Sequence, residues 1–274
     1  MQLCEFAIIP RMKISQVAAQ LYTLRDFCKT PADIATTLKK VRAIGYEAVQ
    51  VSGIAPIAEE ELKALLDGEG LVCCATHEGT QKILEEPQSI IERLDKLDCK
   101  FTAVPSPGGY DLSTRAAVET FAAQMNEAGK ALRAGGKVLT YHNHHFEFVK
   151  FADEKGQGET TMLEIFYDQT DPQNLQGEID TYWIQYGGGD VVAWCEKLKN
   201  RLPLLHLKDY GISAEEKKPE FREIGYGTLD WKRIIAAAEN SGCQWFIVEQ
   251  DTCPSDPFDS LKMSFDFIKS ELCN

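Results

Sequence analysis

The sequence predicts an α/β fold, a single (β/α)8 TIM barrel, on three observations. Short β-rich runs alternate with longer helical patterns from end to end, and eight such units can be counted. The length of 274 residues suits one barrel, which typically takes about 250. The rival, an open doubly wound sheet, would carry a G-x-G-x-x-G turn after its first strand or a Walker-type loop, and the sequence has neither.

Taken in order, the expected strands are 13–19, 47–51, 71–76, 100–104, 137–142, 175–180, 202–207 and 245–249, each a short run rich in β-branched, aromatic or aliphatic residues. Between them lie helical spacings. Ile34, Leu38, Val41 and Ile44 fall on one face and stop at Gly45, which suits a helix C-terminus. Leu62, Leu65 and Leu66 precede Gly68 and Gly70; Ile90, Ile91, Leu94 and Leu97 make another face, and residues 116–132 a fourth. Thr228 is expected to cap the helix carrying Trp231, Ile234 and Ile235. Asp256 followed by Pro257 opens a last helix with Leu261, Phe265 and Ile268. No repeat or linker divides the chain, so one domain is expected.

Composition excludes several classes. With 44% hydrophobic and 26% charged residues the chain can bury a core and is neither disordered nor fibrous. The balance of 42 acidic against 29 basic residues gives −13; such a surface repels phosphate backbones and anionic lipid, so neither nucleic acid nor membrane is an expected partner. No run is long enough to span a bilayer. The first twelve residues have no basic start and no long apolar stretch, which is unlike a signal peptide, and a cytoplasmic protein is expected. Nine cysteines, with no C-x-x-C pair, argue against a disulfide framework and a zinc ribbon. Cys73 and Cys74, adjacent on a strand, point to opposite faces.

In a barrel the chemistry belongs at the C-terminal ends of the strands. Those ends are polar here: Thr76-His77-Glu78 on strand three, the stretch from Tyr141 to Glu147 on strand five, Glu178-Ile179-Asp180 on strand six, His206-Leu207-Lys208-Asp209 on strand seven and Glu249-Gln250-Asp251 on strand eight. All five histidines lie in these segments. A lone strand-end histidine is usually a hydrogen-bonded structural residue, and Asp180 or Glu249 alone could cap the helix that follows. Imidazoles and carboxylates converging from several strands instead make the donor set of a divalent site, for Mn, Co, Zn or Mg.

At these residues the chain resembles the xylose isomerase-like sugar isomerase/epimerase superfamily, in its branch described as sugar phosphate isomerase/epimerase. The matching segments are QLYTLRD (20–26), IGYEAVQV (44–51), YHNHHFEF (141–148), EIDTYWIQYGG (178–188), PLLHLKDY (203–210), GYGTLDW (225–231) and FIVEQD (246–251), and they span nearly the whole chain from residue 13. The resemblance implies a barrel over 13–274 preceded by an N-terminal extension over 1–12. It also implies one divalent metal held by ligands from strands five to eight. Asp180, His206 and Glu249 match the last three positions. At strand five the family commonly has glutamate where this chain has His142, so the fourth ligand is either His142 or Glu147, five residues on. Two imidazoles with two carboxylates would shift preference toward zinc-like ions.

Such a site supports proton transfer next to a carbonyl through an enediolate. Glu249 is expected to be the catalytic base and Glu147 a second catalytic carboxylate touching substrate hydroxyls. His77 and His144 are expected to bind hydroxyls or act as acid/base groups, Lys208 to bind a substrate oxygen, and Trp183 to stack on a sugar or close the pocket. Tyr110, in the loop after strand four, could line the pocket, and the Gly225-Tyr226-Gly227 turn could take a phosphate through backbone N–H groups. The leading reading is a metal-dependent isomerase or epimerase of a sugar, sugar phosphate or polyol. A dehydratase or lyase on a keto-sugar or inosose, or a non-catalytic sugar-binding barrel, would use the same pocket. An abasic-site endonuclease shares the fold, but strand six has Asp180-Thr181-Tyr182-Trp183 where that class needs a further histidine, and the charge opposes duplex DNA. A homo-oligomer is a family expectation.

Overall fold

The computed structural model describes residues 12–273 apart from 153–155 and 157. The strands are β1 (Val17–Gln20), β2 (Ala48–Val51), β3 (Val72–His77), β4 (Phe101–Val104), β5 (Val138–His142), β6 (Lys150–Ala152), β7 (Glu159–Thr161), β8 (Leu175–Asp180), β9 (Leu204–Leu207), β10 (Asp209–Ile212), β11 (Pro219–Arg222) and β12 (Trp245–Val248). Eight of them close a parallel barrel in the order β1-β2-β3-β4-β5-β8-β9-β12. These are the eight runs expected from the sequence; the first begins later, because Ile14–Gln16 forms a 3-10 turn. The other four make two antiparallel hairpins, β6–β7 and β10–β11, inserted after β5 and β9. Sequence reasoning missed both, since three- and four-residue strands of mixed polarity carry no usable period.

The helices are α1 (Pro31–Ile44), α2 (Glu59–Glu69), α3 (Thr80–Glu85), α4 (Pro87–Lys96), α5 (Arg115–Ala134), α6 (Met162–Asp168), α7 (Thr181–Tyr186), α8 (Val191–Lys197), α9 (Trp231–Asn240) and α10 (Pro257–Phe267). Helix α1 shows why they start and stop where they do. Thr30 accepts a bond from the Asp33 amide, Pro31 sits at the first position, and the chain leaves at Gly45 with φ of 127°. Thr228, expected to cap α9, does not. Asp230 accepts from the Arg233 amide, while the Thr228 hydroxyl donates to the Tyr210 carbonyl. Met12, placed with the extension by sequence, is buried in the core.

The main core lies between barrel and helices, and includes Ile34, Leu38, Phe121, Phe166 and Leu261. A smaller cluster of Ala18, Ala48, Cys74, Ala75, Phe101, Leu204 and Ile247 plugs the barrel interior. Cys73 belongs to the outer core and Cys74 to the inner one, on opposite faces as expected. A bulge opposite Val49 and Gln50 resets the alternation of β3, so that Ala75 packs in the inner cluster and His77, two residues on, also turns inward. Above the small residues the interior becomes polar, and the candidate site begins there. Among the described residues no helix is long and apolar enough to cross a membrane.

Candidate active site

The layer above the plug is a closed polar network. Gln20 donates to Gln50 Oε1 at 2.6 Å, and Gln50 donates to both oxygens of Glu178 at 3.1 Å. His77 Nε2 lies 2.6 Å and His206 Nε2 2.8 Å from Glu178 Oε1. Glu178 is fully buried, yet the facing His206 and His77 hold its pKa well below the carboxylate range against the opposing effect of burial. Because His206 Nε2 faces two acceptors, Glu178 and Gln50 Oε1 at 2.6 Å, it carries a proton, and Nδ1 is left to face the next layer.

That next layer holds the strand-end groups. His206 Nδ1 is 2.9 Å from Glu249 Oε2 and 3.9 Å from Asp180 Oδ2. His142 Nε2 is 3.3 Å from Asp180 Oδ2 and 4.0 Å from Glu249 Oε2, while its Nδ1 lies 3.3 Å from the Pro105 carbonyl and is placed to donate to it. One donor atom from each of His142, Asp180, His206 and Glu249 lies within 4.8 Å of the others. The structure thus brings His142 into the cluster and leaves Glu147 out. Asp180 does two jobs: Oδ1 accepts from the Trp183 amide at 3.0 Å and caps α7, and Oδ2 faces the cluster.

Lys208 is buried among the carboxylates, with Nζ 2.9 Å from Asp180, 2.8 Å from Glu249 and 3.0 Å from Asp251. Burial disfavours its charge, but these three acids raise its pKa well above the ordinary value. Burial likewise opposes the charge of His206, and Glu178 and Glu249 raise its pKa to about 10. Glu249 stays ionised despite burial because Lys208 and His206 face it. Four carboxyl groups, Glu178, Asp180, Glu249 and Asp251, thus face two cationic groups, Lys208 and His206. Loss of the Nδ1 proton of His206 would leave two imidazole and two carboxylate donors, a set that fits a divalent cation. A second group, His77, Glu178 and His206, also has metal-like spacing. Its His206 Nε2 is already committed to Glu178, so these residues read as the outer partners that orient His206.

His77, His142, His144, Lys208 and Glu249 line one cavity of about 950 Å3. Tyr110 lines it as well. Burial pushes the His144 pKa down to about 3, helped by His142 and Lys208, so the ring is neutral, and its Nδ1 has no partner among the described residues. Glu147 is not brought to the cavity. It is fully buried, accepting from the Tyr141 hydroxyl at 2.7 Å and the His144 amide at 2.8 Å, and burial raises its pKa to about 7. Trp183 also sits off the cavity wall, packed against His144, His145 and Phe221 and over the Lys208 ammonium. The Gly225–Gly227 turn has no free donors for a phosphate. Gly225 and Gly227 N–H groups donate to Asp209 Oδ2 at 2.9 and 3.1 Å, and the Trp231 indole donates to the same oxygen at 2.7 Å. Sequence reasoning missed Gln20 and Gln50, polar residues on inward positions of the short runs VAAQ and AVQV, and the orienting role of Glu178.

The closed eight-stranded barrel gathers histidines and carboxylates at the C-terminal ends of its strands, where barrel enzymes carry their active sites. The family model for the xylose isomerase-like TIM barrel matches residues 38–271, and the chain belongs to that family. Inosose dehydratase of Geobacillus thermodenitrificans is 28% identical over 165 residues, covering 54% of this chain and 52% of the relative, so that match spans about half of the curated protein. Inosose dehydratase of Geobacillus kaustophilus is 24% identical over 269 residues, covering 84% of this chain and 85% of the relative. A sugar phosphate isomerase/epimerase from Parabacteroides distasonis superposes with a TM-score of 0.79 at 21% identity, over 97% of both chains.

Proposed function

We propose that the protein is a metal-dependent sugar isomerase or epimerase that moves a proton at a carbon next to a carbonyl. The observation that carries this reading is the convergence of His142, Asp180, His206 and Glu249 from four adjacent barrel strands into one cluster, of which His142 and Glu249 line the cavity. A divalent ion bound there, Mn, Co, Zn or Mg, supplies Lewis acidity for charge developing on the substrate oxygen. Glu249 lines the cavity as a carboxylate, the state a proton acceptor needs. His144 lines the cavity, where its ring can meet a sugar hydroxyl, and Lys208 holds positive charge beside Glu249. Glu147, closed off by Tyr141, acts by fixing the loop that carries His144.

The similarity to inosose dehydratases supports a second reading on the same groups, in which proton removal is followed by loss of a neighbouring hydroxyl as water. Both readings are tested by incubating the metal-loaded protein with keto-sugars and inososes in deuterated water. Deuterium entering a recovered or isomerised sugar supports the isomerase; a product lighter by one water supports the dehydratase. Glu249→Gln is expected to abolish either. Neither outcome with any substrate, or full activity in Glu249→Gln, would contradict the proposal.

A further inference from the structure

The cavity is far larger than the catalytic floor requires. At about 950 Å3 it lies near the top of the ~300–1,000 Å3 range of pockets that enclose drug-sized ligands, and one sugar ring beside the cluster fills only its inner part. The outer wall is apolar. Tyr110 and Leu112 come from the loop after β4, Phe146, Val149 and Phe151 from the connection between β5 and α6, and Met162 from the start of α6. Phe146 and Val149 remain 38% and 53% exposed. Apolar side chains left open inside a concavity mark a surface that another apolar group covers.

Charge narrows the ligand further. Lys208 is the one lysine or arginine among the described lining residues, and three carboxylates already neutralise it. Glu249 and Asp251 share the lining with Lys208, and Glu78 is paired with Arg93, so apart from an ion on the floor no unpaired lysine or arginine of the described lining is left to hold a phosphate. The turn where this architecture commonly binds phosphate is filled from within by Asp209.

We infer that the substrate is an uncharged glycoside, its anomeric substituent ring-sized and apolar and its carbonyl a ketone elsewhere on the sugar ring, rather than a free or phosphorylated monosaccharide. The sugar hydroxyls meet His144 and the histidine–carboxylate floor, and the substituent packs on the wall of Leu112, Val149 and Phe151. This rests on the reading that the floor handles a sugar.

Calorimetric titration of the full chain tests it, using matched phenyl and methyl glycosides of glucose, galactose, mannose and xylose, with phenol and glucose 6-phosphate alongside. For at least one sugar the phenyl glycoside is expected to bind about tenfold or more tighter than its methyl counterpart and than phenol, and glucose 6-phosphate not to compete. Val149→Asp, at a half-exposed position, should bring phenyl affinity down to that of the methyl glycoside with an unchanged melting temperature. Equal phenyl and methyl affinities, or tighter binding of the phosphate, would overturn the inference and leave the sugar reading of the floor standing. Phenol binding as tightly as every glycoside would overturn it by removing the sugar itself. A wild-type dimer dissociated by Val149→Asp would assign the wall to a second copy of the chain, which also overturns it.

Discussion

Asp180 shows how one side chain serves the fold and the site together: a single carboxylate starts α7 with one oxygen and faces His142 and Lys208 with the other. Glu178 shows the converse, a charge buried solely to hold others in place. Replacing it by Ala leaves buried donors on His77, His206 and Gln50 unpaired, and we predict a loss of about 3–5 kcal/mol in denaturant unfolding; a loss under about 1 kcal/mol would contradict the network. Glu147 makes a pH-dependent prediction. Its folded pKa, about 7, lies above the ordinary 4.5, so between these values the folded chain keeps a proton that the unfolded chain has released. The stability from this carboxyl is therefore full below about pH 4.5 and lost as pH rises through about 7, by about 3 kcal/mol. Unfolding of wild type and Glu147→Gln, compared from pH 4.5 to 8, should show that difference; parallel curves would contradict it. At this scale the sequence was legible where a residue's position on a strand fixes its direction, as for His142, Asp180 and His206. It was not legible for Glu147, because residues beyond a strand end turn according to their partners, here Tyr141 and the His144 amide.

Elements were legible in proportion to their length and period. The barrel strands were read because buried parallel strands are short apolar runs between helical patterns. The two hairpins were not, and they matter: β6 and its approach supply Phe151 and Val149 to the cavity wall, and β10 begins with Asp209, which organises the following turn. The misplaced cap of α9 has a similar origin, since Thr228 and Asp230 are both good capping residues and only the path of the turn decides between them. Packing between elements can also reverse a propensity. Gly129 lies within α5, where Ala is ordinarily favoured by about 1 kcal/mol, but a methyl group there would collide with the Asn174 carbonyl before β8. Gly129→Ala is therefore expected to lower the melting temperature; a rise would show that α5 is free to move away from that carbonyl.

For the whole molecule, barrel closure makes a site out of distant residues. Parallel pairing sets Asp180 beside His206, and His206 beside Ile247, two residues before Glu249; His142 pairs with Glu178, two residues before Asp180. Strands five to eight of the barrel thus deliver one donor each to the same cluster, and a sequence in which the ends of strands five to eight are all polar already implies that convergence. What it did not disclose was the balance of the centre: a buried lysine shared by three acids, and a glutamate below that fixes which nitrogen His206 presents. The central claim is that these four donors form one metal centre. Its most direct test is metal analysis of protein purified without a nickel column, repeated on His142→Ala and titrated with Mn, Co and Zn. The account predicts near-stoichiometric metal in the wild type and affinity weakened by on the order of a hundredfold or more in the variant. No metal bound by the wild type at any concentration of these ions, or undiminished binding in His142→Ala, would contradict it.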